Sequence, residues 1–194
     1  LNLYADKAYD FWRVLRQQVE PYAQEYLPRM TVAQRQQLIK NLRENLEQER
    51  EEDLNMDPRE RQRERFQRTI ERAEEWLGRL EPEQLRLLHR WIAQRERNDD
   101  LWFAYQLAWL DAFEQALSDV KAPNFTASVH QLITNPEQWR SDELQQSSDY
   151  SRALTIEFFV EMYATLSTEQ KRRIRNKLAD YHELVTDIHQ DFTD

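Results

Sequence analysis

The sequence predicts an all-α fold, an irregular bundle of about seven to eight helices, and three observations predict it. Only one glycine, Gly78, occurs in 194 residues, where an average composition of roughly 7% would give about fourteen. Hairpin turns, phosphate-cradling loops, dinucleotide fingerprints and nucleophile elbows each need several glycines, so those folds and chemistries are excluded together. Apolar residues recur at alternating steps of three and four, the spacing of one helix face. Finally, several apolar runs are preceded by a capping residue with Gln or Glu three positions later, which is how a helix start satisfies its free backbone N–H groups.

Ala5, Ala8, Trp12, Leu15, Val19, Tyr22 and Tyr26 form the stripe of a first helix. Pro21 inside it is expected to kink or divide the helix, because proline lacks the N–H and clashes with the preceding turn. Thr31 with Gln34 starts a second helix whose apolar face is Leu38, Leu42 and Leu46. Asp57 at the N-cap, Pro58 and Glu60 start a third, with Phe66, Ile70, Ala73 and Leu77 facing inwards. Gly78 ends it, since only glycine takes the left-handed C-terminal conformation without a side-chain penalty.

Pro82 opens a fourth helix, with Leu85, Leu88, Trp91 and Ile92 inside and an end near Asn98. The fifth, residues 99–117, carries Trp102, Tyr105, Trp109 and Phe113 on one face and Phe103, Leu107, Leu110 and Leu117 on another. Apolar nearly all round, it is expected at the centre of the fold. After Pro123 a short helix holds Val129, Leu132 and Ile133, and Pro136 breaks it. A longer helix from about Ser141 is expected to bury Tyr150, Leu154, Phe158 and Met162. The last begins at Ser167, capped by Gln170, with Ile174, Leu178, Tyr181, Val185, Ile188 and Phe192 along its stripe.

One pattern recurs in these starts. Met30, Thr31, Gln34, Leu38 and Leu42 share their offsets with Leu80, Glu81, Gln84, Leu88 and Ile92, and with Leu166, Ser167, Gln170, Ile174 and Leu178. Separations of 50 and 86 residues do not make a tandem solenoid. Repeated use of one capping device accounts for the pattern, and duplication of a helical hairpin is the bolder reading.

Charge and residue usage bound the function. With 27 Lys+Arg against 36 Asp+Glu the net charge is −9 and the pI is near 5.1. Absence of cysteine excludes disulfides, Cys-ligated zinc, iron–sulfur clusters and thiol catalysis within this piece. Even the most apolar stretch, residues 153–166, contains Glu157 and Glu161, too polar for a bilayer span. No signal-peptide pattern is present. A first residue that is Leu1 rather than Met is expected of a trimmed or processed chain.

Candidate chemistry is sparse. Arg61, Arg65, Arg68 and Arg72 align at steps of four, three and four, a stripe that suits phosphates, lipid headgroups or an acidic partner. Between Arg43 and Glu75, however, eight Arg meet twelve Asp+Glu, which argues for intrahelical ion pairs and against nucleic acid. Trp102, Tyr105 and Trp109 suit either core packing or a peptide or lipid groove. His89, His130, His182 and His189 lack the spacing of a metal site, and Ser147 and Ser148 lack a nucleophile context. No catalytic residue, metal ligand or cofactor site is expected.

The run Glu71-Arg-Ala-Glu-Glu-Trp-Leu-Gly-Arg-Leu-Glu-Pro-Glu-Gln84, preceded by Asp57-Pro-Arg-Glu-Arg61 and followed by Trp91 and Leu101-Trp102, resembles an uncharacterised family of bacterial lipoproteins known only as a domain of unknown function. Trp76-Leu77-Gly78 followed by Leu-x-Pro-x-Gln is its most specific element, with Asn135-Pro-Glu137 and Leu166-Ser-Thr-Glu-Gln170 later in order. Glu81 replaces the Thr or Ser commoner at that cap. The resemblance covers about residues 30–184 and implies a lipid-anchored periplasmic protein. In that picture residues 1–194 are a single all-helical domain, the C-terminal two-thirds of a longer lipoprotein whose anchor lies upstream. It transfers no activity.

The expected function is therefore a non-enzymatic scaffold or adaptor for another envelope protein. It touches the membrane only through that anchor and does not bind nucleic acid. The alternative is a carrier or foldase-like binder holding a lipid or unfolded client between helices.

Overall fold

A computed structural model describes residues 16–95 and 97–191, with side chains as far as Asp180. Every regular element among the described residues is helical. Residues 16–26 form α1. It is followed by α2 (Val32–Asn55), α3 (Pro58–Leu77), α4 (Pro82–Gln94), α5 (Asp99–Ser118), α6 (Phe125–Thr134), α7 (Asp142–Thr165) and α8 (Thr168–Asp191), with short 3-10 turns at Leu27–Arg29 and Pro136–Trp139.

The chain divides into two compact units, Leu1–Met56 with Glu96–Ser151, and Asp57–Arg95 with Arg152–Asp194. Each has its own core. In the first, Ile39, Leu110, Leu117, Phe125 and Val129 are buried, flanked by Ala23, Leu27, Leu38, Trp109, Phe113, Val120 and Ile133. In the second, Leu80, Leu88, Phe158, Met162 and Leu166 are buried against Phe66, Ile70, Ala73, Leu77, Trp91 and Ile174, among others. Charge divides as unevenly: the first unit has 11 Lys+Arg against 20 Asp+Glu, the second 16 against 16, so the whole net charge belongs to the first.

Helix starts follow the capping chemistry. Thr31 Oγ1 accepts from the Gln34 N–H at 3.2 Å while Gln34 Oε1 accepts from the Thr31 N–H at 2.8 Å. Asp57 Oδ1 accepts from Arg59 and Glu60 at 2.9 and 3.2 Å. Ser141 Oγ accepts from the Leu144 N–H at 3.1 Å and opens α7.

Several expectations about faces and ends are corrected. Residues 16–26 stay helical through Pro21, so it does not divide α1. Val19, Tyr22 and Tyr26 are exposed. The side of α1 turned inwards is Arg16, Glu20 and Ala23, continued by Leu27 of the first 3-10 turn, one register over, and Arg16 pairs with Glu137 at 3.0 Å and Glu20 with His130 at 2.8 Å. Ala5, Ala8, Trp12 and Leu15 lie outside the described residues. In α2 the buried residue is Ile39, and Leu42 is exposed. The face it turns to α5 includes Arg43, which reaches Asp111 and Glu114 at 2.8 and 2.9 Å, and Arg50, which binds Asp100. These long side chains cover α5 with their stems while their heads stay charged, a pattern that apolar periodicity does not show.

Gly78 has φ +74°, as its place after α3 requires, but ψ is −160°, an extended rather than left-handed helical value. That region of backbone space belongs almost wholly to glycine. Helix α4 ends at Gln94, four residues before the expected end. On α7, Tyr150 is exposed and Leu144 and Ser147 are buried instead; on α8, Leu178 is exposed. Tyr181, Val185, Ile188 and Phe192 lie outside the described side chains. Helix α5 is central to the first unit, packing on α2, α6 and the second 3-10 turn, although Trp102 at its start remains 40% exposed.

Candidate functional site

The arginine stripe lies on the second unit and the aromatic stripe on the first. On α3 the core-facing residues Phe66, Ile70, Ala73 and Leu77 lie across the helix from Arg61, Arg65, Arg68 and Arg72, as a 100° turn per residue dictates. Arg68 and Arg72 are exposed, Arg61 and Arg65 half-buried. Of the intrahelical pairs expected to neutralise the stripe, Arg68 with Glu64 at 3.5 Å is present. At that separation and exposure it contributes little.

A further arginine, Arg95, lies beyond the stripe. Arg95 follows α4, which packs on α3, and its guanidinium lies over the Trp91 indole at 4.9 Å. The indole in turn stacks on Phe158, centroids 4.8 Å apart and planes 19° from parallel, and donates through Nε1 to Thr155 Oγ1 at 3.3 Å. Among the described residues Arg95 Nε is closed to solvent and meets no hydrogen-bond acceptor. Burial, and then the charge of neighbouring Arg65, lower the Arg95 pKa from its ordinary value. Sequence spacing missed Arg95 because it lies outside the helical stripe.

On α5 the aromatic residues separate. Trp109 belongs to the core, and its indole N–H donates to the Leu132 carbonyl of α6 at 3.0 Å. Trp102 and Tyr105 meet edge to face, centroids 5.5 Å apart, and Arg140 lies over both rings at 5.5 and 5.9 Å. Burial raises the Tyr105 pKa, with Arg140 opposing it. The surface this leaves is a closed cation–π cluster, so the three aromatics do not line one groove.

A cleft of about 490 Å³ lies between α2 and α5, and Ile39, Leu117, Arg35, Lys40, Arg43 and Glu114 are among the residues that line it. The remaining candidates have structural partners. His89 packs on Phe66 with centroids 3.7 Å apart, and His130 binds Glu20. His182 and His189 fall outside the described side chains. Ser147 accepts from Asn98, and Ser148 Oγ donates to the Leu144 carbonyl at 2.7 Å. Among the described residues no group of three or more His, Cys, Asp or Glu is placed to hold a metal ion, and no helix is long and apolar enough to cross a membrane.

These features define an all-helical protein with separate cationic and aromatic surface clusters. The model of a family of unknown function, DUF6279, matches residues 1–145, and the chain belongs to that family. The match runs into α7 and stops before the Leu166–Gln170 element. No curated protein and no solved structure matches the chain.

Proposed function

We propose that the protein is a non-enzymatic, lipid-anchored adaptor of the bacterial periplasm, whose second unit receives an acidic segment of another envelope protein. The observation that carries this reading is the alignment of Arg61, Arg65, Arg68 and Arg72 on a side of α3 away from its core residues Phe66, Ile70, Ala73 and Leu77. An acidic segment laid along such a stripe gains several weak charge contacts at once. Trp109 supports the same choice, because an aromatic helix serving a carrier would line a cavity rather than hydrogen-bond within the core. The lipid anchor and periplasmic location rest on the resemblance of the Trp76-Leu77-Gly78 element to a lipoprotein family.

In-cell crosslinking of the protein expressed from its own gene, followed by mass spectrometry, tests the proposal. One recurrent envelope protein, lost when Arg65→Glu and Arg68→Glu are combined, is the expected result. Recovery of lipid or of many unrelated clients, unaffected by those changes, overturns it. That outcome favours the carrier alternative, for which the cleft between α2 and α5, with Ile39 and Leu117 beside Arg35 and Lys40, is the candidate site.

A further inference from the structure

We infer that one side of α8, carrying Lys171, Arg175 and Leu178, and the adjoining outer face of α7, carrying Phe159 and Tyr163, form a docking surface for an anionic phospholipid bilayer. This contact goes beyond the adaptor reading and does not use the arginine stripe of α3. Residues 171–177 hold five cations and no acid. At about 100° per residue, Lys171, Arg175 and Leu178 fall within about 60° of one another, while the acids nearest in sequence, Glu169 and Asp180, lie about 160° and 180° round the helix from Lys171. Lys171 is half-buried and Arg175 exposed, and Leu178 is 54% exposed. The other cations of the run are engaged elsewhere. Lys177 lies over the Trp76 ring at 5.6 Å, the Arg173 guanidinium lies against Gly78, and Arg172 pairs loosely with Glu169 at 3.9 Å. Among the described residues no ion pair engages Lys171 or Arg175.

One contact ties the two helices together on this side: Lys171 Nζ lies 4.7 Å from the centre of the Tyr163 ring. Tyr163 is 58% exposed, and Phe159, one turn earlier on the same face, 52%. From this stretch of α7 the core takes Phe158 and Met162 and leaves the two outer rings in water. A bilayer interface receives such a mixture. Aromatic rings settle at headgroup depth, and Lys and Arg lay their stems along apolar surface while their charged ends reach the phosphates. An acidic peptide would satisfy the cations but leave Phe159, Tyr163 and Leu178 wet, whereas an anionic bilayer takes both kinds of side chain. The attraction decays within a screening length of about 8–10 Å, so local charge decides it. The net charge of −9 therefore does not prevent contact.

Vesicle flotation of the whole chain tests the proposal, with phosphatidylglycerol vesicles, phosphatidylcholine vesicles and a capped hexaglutamate peptide as separate probes. Binding to phosphatidylglycerol and not to phosphatidylcholine is expected. Each cation near an anionic surface is worth about fivefold in affinity, so Lys171→Gln combined with Arg175→Gln is expected to weaken vesicle binding about thirtyfold. Phe159→Ser with Tyr163→Ser should weaken it too, and Arg65→Gln with Arg68→Gln should leave it unchanged. Should the α8 double variant unfold, Arg175→Glu alone, at an exposed position, is expected to weaken binding with the fold intact. On the unaltered protein, raising NaCl from about 0.1 M to about 1 M shortens the screening length from about 10 Å to about 3 Å and should release most of the bound chain. Equal binding to phosphatidylcholine, vesicle binding indifferent to the α8 changes, or binding of the peptide in place of vesicles overturns the proposal. In cells the two readings fail separately: a lipid crosslink abolished by the α8 changes belongs to this surface, whereas a protein partner lost with the Arg65 and Arg68 changes belongs to the adaptor.

Discussion

Gln84 and Gln170 bind one another through their side-chain amides, Gln84 Nε2 to Gln170 Oε1 at 2.9 Å and Gln170 Nε2 to Gln84 Oε1 at 3.1 Å. Each oxygen also accepts from the N–H at the start of its own helix, Glu81 at 3.0 Å and Ser167 at 3.1 Å. Each nitrogen donates a second time, Gln84 to the Thr165 carbonyl at 3.3 Å and Gln170 to the Arg79 carbonyl at 3.4 Å. Thr165 and Arg79 both lie five residues before a member of the pair, so the arrangement has local two-fold symmetry, with Leu80 matching Leu166. Both amides use all their donors and acceptors, which is what permits Gln84 to be fully buried.

Replacing Gln84 with Leu is expected to destabilise the protein by about 2–3 kcal/mol, since it leaves Gln170 and the Thr165 carbonyl short of partners inside the second unit. Gln84→Leu with Gln170→Leu should cost less than the two single changes added together. Urea unfolding of the four proteins measures the coupling; simple additivity would mean that the amides do not act as a pair.

Gly78 gives a second prediction. Gly78→Ala is expected to lower stability by about 1–3 kcal/mol, because its backbone conformation is strained for any residue with a Cβ. The added carbon would also sit 3.3 Å from Arg173 Nη1. Combining the change with Arg173→Ala should recover only the steric share. Thermal unfolding decides between backbone and side-chain causes.

The two tryptophans of α5 should behave differently. Trp109→Ala is expected to cost about 3–5 kcal/mol, as removal of a large core side chain does, with an orphaned Leu132 carbonyl added. Trp102→Ala, at an exposed position, should cost about 1 kcal/mol or less and chiefly release Arg140. Equal losses in denaturant unfolding would contradict the division of the stripe.

Tyr105 provides a pH signature. Its folded pKa is raised by burial, so the unfolded chain gives up this proton first as pH rises. The stability it contributes is complete below the unfolded value of about 10 and is lost as pH climbs through the folded value. Tyr105→Phe should flatten that alkaline decline; an unchanged slope in stability measured across this range would remove Tyr105 as its source.

What the sequence by itself determined is where helices start and how they are made. A single glycine, alternating steps of three and four, and the caps at Thr31, Asp57 and Ser167 are local signals, each acting within about one turn. They therefore survive whatever the rest of the chain does, and the all-helical architecture follows from them. The Arg61–Arg72 stripe was legible for the same reason, being a spacing along one helix.

Only tertiary structure decided which face meets which neighbour. Arg16, Arg43 and Arg50 turn inwards because acids on other elements receive them, while Tyr150 and Leu178 are left outside. Periodicity assigns a charged residue to solvent and an apolar one to the core, and it cannot register a partner tens of residues away. The glutamine repeat shows the same boundary. Each copy is a local helix start, and exposed Gln34 caps Thr31 alone, but Gln84 and Gln170 meet across 86 residues. Arg43 meets Asp111 and Glu114 by the same kind of encounter between helices, since electrostatics is a property of positions in space rather than of spacing along the chain.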